Sequence, residues 1–270
     1  MLTFRDLSTG LRGLDLPCSV PVLVHASLSS FGEVRGGADT LLGAILSLTG
    51  GIMMPTFTYK TMLIPEDGPA DNGLVYGTGH DLNRMAVFFS DDLPADPLMG
   101  VLAETLRLHP AARRSMHPIL SFAGIQVDAA LDSQTLAEPL APIAALADQE
   151  GWVVLLGVNH TVNTSFHFAE RQAGRKQFVR WALTPAGVAE CPGFPGCSDG
   201  FEDAAPILEE ITRRVKLGDC EVRALPIQPM LEIVGDLLHR DPLALLCSRD
   251  GCGRCDAVRQ SLSALHPEEP

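Results

Sequence analysis

The chain has 270 residues, 46% of them hydrophobic, and its 33 acidic side chains outnumber 20 basic ones, so the formal net charge is −13. A chain of this length buries enough apolar surface to fold without disulfides, and it suits one large α/β domain or two smaller ones. The charge argues against a nucleic acid or an anionic membrane as partner, because phosphate binding needs clustered Lys and Arg. It favours a cationic partner, although an acidic surface can also serve solubility alone.

Nothing in the sequence predicts export or membrane insertion. The first residues lack the basic and then apolar stretches of a secretory signal. No apolar run, including the one at residues 152–156, approaches the roughly 20 residues of a membrane helix. Of the seven cysteines, six lie between residues 191 and 255, which is not the dense framework of a small secreted protein. We therefore expect a cytoplasmic protein.

The first half of the chain alternates strand and helix patterns. Residues 21–27 form the short apolar run of a buried strand, and a turn-rich loop leads from them into a helix over residues 37–46. Apolar side chains of this region share one helical face: Leu41, Leu42, Ile45 and Leu48. Residues 52–58 form the next strand, so the three elements predict a βαβ unit with a parallel pair of strands.

Residues 59–97, called here the acidic insertion, interrupt this alternation. The segment is rich in Gly and Pro, and its seven carboxylates against two basic side chains give it −5 of the net charge. An irregular stretch of 39 residues inside a domain is usually functional or disordered. We interpret it as a small subdomain or lid, because several of its apolar side chains need burial: Leu63, Ile64, Val87, Phe88 and Phe89.

The second half continues the α/β alternation. Helices are predicted at residues 99–109, 141–151, 164–176, 203–216 and 229–240, and strands at 119–127, 152–158, 177–183 and 220–228. The predicted fold class is α/β, with a sheet covered on both faces by helices. We expect a single domain over residues 1–270, with the acidic insertion as a lid and a cysteine-containing part at residues 191–255.

Three polar clusters follow predicted strands or helices, where ligands of open α/β sheets bind. The first contains His25, Ser27 and Ser29 ahead of a glycine pair and a helix, an arrangement that can bind phosphate but also supplies ordinary turn residues. The second, residues 113–118, contains two arginines, a serine and His117. It could bind a phosphate, or it could be a solvated basic turn.

The third polar cluster, residues 159–170, begins where the most apolar strand ends. His167 falls in or near the first turn of the following helix, and Glu170 lies three residues on, on the same face. A helix N-terminus disfavours imidazolium, and a neighbouring carboxylate can fix the tautomer of the ring. The pair is therefore a candidate general base, with a structural histidine as the alternative.

Four segments, in this order and spacing, resemble one enzyme family. They are VHASLSSFGEVRGGADTLLGAIL from residue 24, MPTFT from 54, RRSMHP from 113 and LLGVNHTVNTSFHFAE from 155. Together they resemble the aminoglycoside 3-N-acetyltransferases of the antibiotic N-acetyltransferase family. The resemblance implies a three-layer α/β/α sandwich with a central mixed sheet, unlike the GNAT acetyltransferases. It also implies acetyl-CoA as donor and an amino group of an aminocyclitol antibiotic as acceptor.

The resemblance also implies roles for individual residues. His167 matches the catalytic histidine, Glu170 its carboxylate partner, and His117 a histidine close to the active site. The segments that match the surroundings of the coenzyme contain the candidate cofactor-binding residues His25, Ser27, Ser29, Arg114, Ser115, Asn163 and Thr164. The implied mechanism is direct transfer in a ternary complex: His167 removes a proton from the 3-amine as it attacks the thioester, and backbone N–H groups stabilise the oxyanion.

The acidic insertion is the expected substrate-binding segment. An aminoglycoside carries several ammonium groups, so we expect carboxylates around it. The candidate substrate residues are Asp67, Asp71, Asp91 and Asp92. The segment departs from the corresponding part of well-known drug-resistance members of the family.

The cysteines near the C-terminal end suggest a metal site. Two loops could each supply thiolates to a tetrahedral structural zinc, and the expected ligands are Cys191, Cys197, Cys252 and Cys255. Free thiols or a disulfide are the alternative. We expect the zinc to hold the C-terminal part, away from the chemistry.

The leading hypothesis is a cytoplasmic, acetyl-CoA-dependent aminoglycoside 3-N-acetyltransferase, which contributes to antibiotic resistance and binds neither nucleic acid nor a membrane. One alternative is the same scaffold acetylating another small amine metabolite. The other is a non-catalytic, CoA-binding and zinc-stabilised module in which His167 and Glu170 serve only packing.

Overall fold

The computed structural model describes residues 1–17 and 19–265. The strands are β1 Pro21–Ala26, β2 Gly51–Pro55, β3 Met62–Leu63, β4 Arg113–Arg114, β5 Phe122–Ile125, β6 Trp152–Leu156, β7 Phe178–Thr184, β8 Gly187–Phe194, β9 Arg213–Leu217 and β10 Cys220–Pro226. The helices are α1 Phe4–Arg12, α2 Gly37–Leu46, α3 His80–Met85, α4 Gly100–Leu108, α5 Asp128–Asp132, α6 Ala141–Ala147, α7 Ser165–Gln172, α8 Ile227–Arg240 and α9 Gly253–Leu265. Among these residues, no helix is both long enough and apolar enough to span a bilayer.

The main sheet is mixed and has the strand order β4-β5-β2-β1-β6-β10-β9. Its centre is parallel: Val22 of β1 pairs with Ile52 of β2 on one side and with Trp152 of β6 on the other. The outer strands β5, β4, β10 and β9 run antiparallel to their neighbours. The parallel β1–β2 pair joined through α2 confirms the predicted βαβ unit.

Helices cover both faces of this sheet because successive strand residues point to opposite sides. Leu23 of β1 and Val153 of β6 are fully buried in one core, which includes residues of α6, α7 and α8. Val22 and Val24 of β1 are fully buried in the second core, which includes residues of α1, α2 and α4. The three-layer α/β/α sandwich with a central mixed sheet is thus confirmed.

The acidic insertion contributes strand β3 to a second, antiparallel sheet with the order β3-β7-β8. The buried Asn72 holds it there: its Nδ2 donates to Val179 O at 3.0 Å, and its Oδ1 accepts from Val179 N at 2.9 Å. The expected burial of apolar side chains is confirmed for Phe89, which is 4% exposed, but wrong for Phe88, which is 58% exposed. The two side chains are adjacent in an extended segment, so they point to opposite sides.

The predicted helix over residues 203–216 is wrong. A 3₁₀ helix occupies Phe201–Ile211, with Pro206 inside it, and the chain then continues as strand β9. Pro206 lacks the N–H group that an α-helix needs at this position, and alternation of buried and exposed residues begins after Thr212. Sequence patterns also failed to predict α1 at one end of the chain and α9 at the other.

Candidate active site

A cavity of about 640 Å³ opens beyond the carboxyl ends of the parallel strands β1, β2 and β6. Parallel strands bring their carboxyl ends to one edge of the sheet, which is where open α/β sheets bind ligands. The cavity wall includes these polar residues: His25, Ser27, Ser29, Tyr59, Thr161, Asn163, Thr164, His167, Ser198 and Arg254. Five of the expected cofactor-binding residues and the expected catalytic histidine therefore lie around one cavity.

The loop after β1 supplies the serines of this wall. A 3₁₀ turn, Leu28–Phe31, directs the chain across the strand ends, and the Ser27 and Ser29 hydroxyl oxygens lie 3.1 Å apart. The loop approaches β6 closely because Gly157, with φ +66°, follows that strand. A Cβ atom there would lie 1.7 Å from Ser30 Oγ, so the close approach requires glycine.

His25 contributes a neutral ring to the wall. Burial, with a smaller contribution from the charge of His160, lowers the pKa of His25 to about 3. Its Nε2 accepts a hydrogen bond from the Thr164 backbone N–H at 3.4 Å. His25 therefore links the end of β1 to the start of α7, which positions the helix that carries His167.

The centre of the site is a row of three hydrogen-bonded side chains. His167 and Glu170 lie on one face of α7, with 2.7 Å between His167 Nδ1 and Glu170 Oε2. The other carboxylate oxygen, Glu170 Oε1, accepts from Arg175 NH1 at 2.7 Å. Arg175 in turn donates to the carbonyl oxygens of Pro242 and Ala244, at 2.6 and 2.8 Å. The row thus runs from the cavity wall into the protein interior.

Glu170 stays ionised in this row although it is 1% exposed. Burial raises the pKa of its carboxyl group, but the hydrogen bond from His167 and the charges of His167 and Arg175 lower it by more. The net pKa of Glu170 therefore lies below its ordinary value. An ionised Glu170 accepts a hydrogen bond from the Nδ1–H group of His167, and in that tautomer Nε2 is the nitrogen that can accept a proton.

Sequence reasoning found the His167–Glu170 pair but missed Arg175. The predicted helix over 164–176 would place Arg175 away from Glu170, whereas α7 ends at Gln172 and Gly174 has φ +78°. This left-handed residue turns the chain back, and Arg175 N donates to Glu170 O at 2.9 Å. The glycine after a run of helix formers was the signal available in the sequence.

The structure does not bring the cluster around residues 113–118 to the cavity. His117 is buried, and its Nδ1 accepts from the backbone N–H groups of Ile119 and Leu120 at 3.1 and 2.9 Å. Ser115 Oγ bonds the backbone of Phe122. His117 and Ser115 thus hold the turn before β5, and their expected places beside the chemistry and the coenzyme stay predictions.

The Arg114 side chain also forms its hydrogen bonds with other parts of the chain. Its guanidinium donates to Thr56 O at 2.7 Å and to Asp91 O at 3.0 Å, and it also bonds Leu93 O. These carbonyls belong to the end of β2 and to the acidic insertion. The side chain therefore attaches the insertion to the sheet, and its expected cofactor-binding role stays a prediction.

The four expected substrate carboxylates do not line the cavity. Asp67, Asp71, Asp91 and Asp92 are all exposed, and the cavity wall as described contains no Asp or Glu. Asp96, which was not a candidate, lies beside the wall: its Oδ1 accepts from the N–H of the lining residue Leu98 at 3.0 Å. Negative charge in a segment does not reveal which way its side chains point, and a substrate contact of the four acids stays a prediction.

Two further wall residues escaped the sequence analysis. Burial raises the pKa of Tyr59 to about 12, with Arg254 lowering it and Asp96 raising it, so its hydroxyl stays protonated. Arg254 reaches the cavity from α9, and its NH1 donates to Gly196 O at 2.8 Å. No local pattern in the sequence links residues so distant along the chain.

Four cysteines lie together beside this wall. The sulfur atoms of Cys197, Cys247, Cys252 and Cys255 all lie within 4.8 Å of one another. Cys191, expected in the set, lies instead in the large core between the sheet and the helices, with its Sγ 3.8 Å from Ala189 O. The cluster therefore contains Cys247 in place of the expected Cys191.

Three buried histidines predict acid sensitivity of the fold. Burial lowers the pKa of His25 to about 3, and of His117 and His160 to about 4. Unfolding restores an ordinary pKa near 6.5, so the unfolded state binds more protons below that pH. Stability is then fully present above pH 6.5 and is lost as the pH falls toward 4.

We expect the free energy of unfolding to fall by roughly 1 kcal/mol per buried histidine between pH 7 and pH 5.5. Urea unfolding followed by circular dichroism at both pH values measures this change. The variant His80→Gln is the control, since its exposed ring has no such burial. A free energy of unfolding that is equal at the two pH values would contradict the assignment of neutral buried rings.

Relatives of this chain are known. The family described as aminoglycoside 3-N-acetyltransferase matches residues 23–239. The chain is 33% identical over 178 residues to the SPbeta prophage-derived aminoglycoside N(3')-acetyltransferase-like protein YokD of Bacillus subtilis (strain 168), covering 62% of this chain and 64% of that protein. It is 32% identical over 158 residues to aminoglycoside N(3)-acetyltransferase IV of Salmonella sp, covering 49% of this chain and 58% of that protein. The chain thus spans less than two thirds of the length of these two relatives.

The fold is shared over a longer stretch. The apoenzyme of aminoglycoside acetyltransferase AAC(3)-IVa superposes with a TM-score of 0.78 at 26% identity, covering 96% of this chain and 97% of that one. A variant of the same enzyme in complex with gentamicin gives a TM-score of 0.76 at 25% identity, with the same coverage. The sequence and the fold of this chain are therefore both similar to those of aminoglycoside acetyltransferases.

Proposed function

Because this chain belongs to the aminoglycoside 3-N-acetyltransferase family, we propose that it transfers the acetyl group of acetyl-CoA to the 3-amine of an aminoglycoside. The observation that carries the proposal is the buried row of His167, Glu170 and Arg175, which ends at the wall of the cavity. A histidine oriented by an ionised carboxylate is a group that can accept a proton from an attacking amine. If His167 and Glu170 served only packing, the row would not need to reach a cavity.

His167 acts as the general base in this mechanism. Its Nδ1–H is held by Glu170, so Nε2 accepts a proton from the 3-amine as the amine nitrogen attacks the thioester carbonyl. The C–S bond of the donor then breaks, an amide forms, and the proton on Nε2 can pass to the departing CoA thiolate. The Glu170 carboxylate stabilises the positive charge that the ring carries in between, and Arg175 holds that carboxylate in place.

The wall at the strand ends supplies the donor site. Ser27 and Ser29 offer hydroxyl groups, and Asn163 and Thr164 stand at the start of α7, where the helix dipole favours a negative group. We assign the stabilisation of the oxyanion to backbone N–H groups of the turn after β1, because Ser27, Leu28 and Ser29 of this turn line the same cavity as His167. His25 holds the start of α7 in place, because its Nε2 accepts a hydrogen bond from the backbone N–H of Thr164.

The acceptor is a polycation, and gentamicin bound to a variant of AAC(3)-IVa supports this substrate class. The net charge of −13 attracts such a molecule over a distance. Close to the reacting amine, however, the wall offers hydroxyl groups and carbonyl oxygens rather than the carboxylates of Asp67 or Asp71. We therefore assign these exposed acids to long-range attraction only.

The double variant Asp67→Asn/Asp71→Asn tests this assignment. We expect its KM for gentamicin to stay within about twofold of the wild-type value at 0.15 M salt, because exposed charges away from a site are screened over about 8 Å. Steady-state kinetics at fixed acetyl-CoA measures the effect. A KM raised tenfold or more would return these carboxylates to direct substrate contact.

Release of free CoA thiol distinguishes the proposed function from its alternatives. The pure protein is incubated with acetyl-CoA and a panel of kanamycin-, gentamicin- and apramycin-type acceptors, with a reaction lacking acceptor as the blank. Turnover with an aminoglycoside supports the proposal. Turnover only with other small amines would show the same scaffold serving a different substrate, and acetyl-CoA binding without turnover on any amine would indicate a non-catalytic module.

A further inference from the structure

The cluster of Cys197, Cys247, Cys252 and Cys255 has no part in the proposed mechanism. Its members come from three separate places: the segment after β8, the segment after α8, and the start of α9. All four are buried, with exposed fractions between 1% and 6%. Within residues 1–17 and 19–265, each of these cysteines has a free thiol and no disulfide partner. Four unpaired thiols from three segments therefore share one small interior volume.

The geometry fits a tetrahedral zinc ion. A Zn–S distance of about 2.3 Å places the sulfur atoms of such a site about 3.8 Å apart, and the four sulfur atoms here all lie within 4.8 Å. Cys252 and Cys255 have the two-residue spacing that is common in zinc sites. Four thiolates are soft ligands that select zinc over magnesium or calcium.

The surroundings suit the charge of that site. Four thiolates and one Zn²⁺ carry a net charge of −2, which nearby cations stabilise. Arg249 NH2 lies 3.8 Å from Cys252 Sγ, and Arg259 NH2 donates to Cys247 O at 2.6 Å. Arg249 therefore lies close to a sulfur atom of the cluster, and Arg259 binds the backbone of one of its cysteines.

The cluster also connects two parts of the cavity wall. Arg254 stands between Cys252 and Cys255 and donates from NH1 to the carbonyl oxygen of Gly196, the residue before Cys197. Both Arg254 and Gly196 line the cavity that contains His167. A Cβ atom on Gly196 would lie 3.8 Å from Glu170 Oε2, so this segment also packs against the buried carboxylate.

We propose that Cys197, Cys247, Cys252 and Cys255 bind one structural Zn²⁺, and that this ion fixes Arg254 at the wall of the cavity. Among the described lining residues, Arg254 is the one with a permanent positive charge. Since the acceptor is a polycation and the donor carries phosphates, Arg254 serves the donor. The zinc site stands without the proposed function, whereas the assignment of Arg254 to the donor rests on it.

Metal content tests the first half of this proposal. Protein made without a histidine tag in zinc-containing medium and dialysed against metal-free buffer is expected to hold about one zinc per chain by mass spectrometry. The variant Cys191→Ser should retain it, since Cys191 is equally buried but lies outside the cluster, and Cys252→Ser should lose it. Absence of stoichiometric zinc in the wild type, equal loss in Cys191→Ser, or disulfides among the four cysteines would overturn the site.

Cobalt keeps the test independent of the folding of variants. Wild-type protein whose zinc has been exchanged for Co²⁺ should show the absorption bands of a tetrahedral thiolate complex. Bands of an octahedral ion would contradict the ligand set. Neither measurement requires turnover, so a failure of the metal site and a failure of acetyl transfer are distinguishable.

The affinity for acetyl-CoA tests the second half. Calorimetry is expected to show a dissociation constant raised about tenfold in Arg254→Ala with its zinc retained, because a charged hydrogen-bonding partner is lost. The zinc-depleted wild-type protein should show a similar change. An unchanged dissociation constant in either protein would overturn the assignment of Arg254 to the donor.

Discussion

Replacing His167 with alanine is expected to lower kcat for acetyl transfer by about 10²- to 10⁴-fold, the usual contribution of a positioned general base. The attacking amine then has to lose its proton to water. The fold should survive, because Glu170 keeps its ion pair with Arg175 at 2.7 Å. Steady-state kinetics with acetyl-CoA and gentamicin measures the loss.

Two controls separate proton transfer from structural damage. His80→Ala removes an exposed histidine of α3 and should leave kcat unchanged. Added imidazole should restore part of the activity of His167→Ala, because the truncation leaves space beside the cavity for a small base. A near-wild-type kcat in His167→Ala would show that another group removes the proton, even if the family assignment is correct.

Glu170→Ala is expected to damage both stability and catalysis. The buried Arg175 guanidinium loses its counter-charge, and breaking a buried ion pair in this way costs about 3–5 kcal/mol of unfolding free energy. The His167 ring also loses the acceptor that fixes its tautomer, so kcat should fall by about 10²- to 10⁴-fold. Urea unfolding and steady-state kinetics measure the two effects.

The double variant Glu170→Gln/Arg175→Met separates the two effects. It removes both buried charges and keeps similar side-chain volumes, so much of the stability should return. The activity should not, because the carboxylate that orients His167 is still absent. Equal recovery of stability and kcat would mean that Glu170 acts through folding alone and has no role in orienting the base.

The central part of the fold could be predicted from the sequence because its signals are local. The apolar run at residues 21–27 and the helical face of α2 each reflect a nearby core, and together they give the βαβ unit. His167 and Glu170 could be paired in the same way, since three residues on one helix fix their relation. Arg175 could not, because the left-handed turn at Gly174 sets its direction.

Contacts between segments that are distant along the chain could not be predicted from the sequence patterns. Cys247 joins the cysteine cluster in place of Cys191, whose side chain lies in the large core. The basic turn around Arg114 looked like an anion site, yet the carbonyl oxygens of the acidic insertion occupy its guanidinium. The packing of neighbouring segments determines such partners, and no local pattern of residues encodes it.

The proposed reaction of this chain is acetylation of the 3-amine of an aminoglycoside, with His167 as base. Its most direct test is the nuclear magnetic resonance spectrum of the product formed from acetyl-CoA and gentamicin by the wild-type protein and by His167→Ala. We expect a single new amide at the 3-amine with the wild-type protein, and only traces of it with the variant. No acetylated gentamicin, or equal yields with the two proteins, would contradict it.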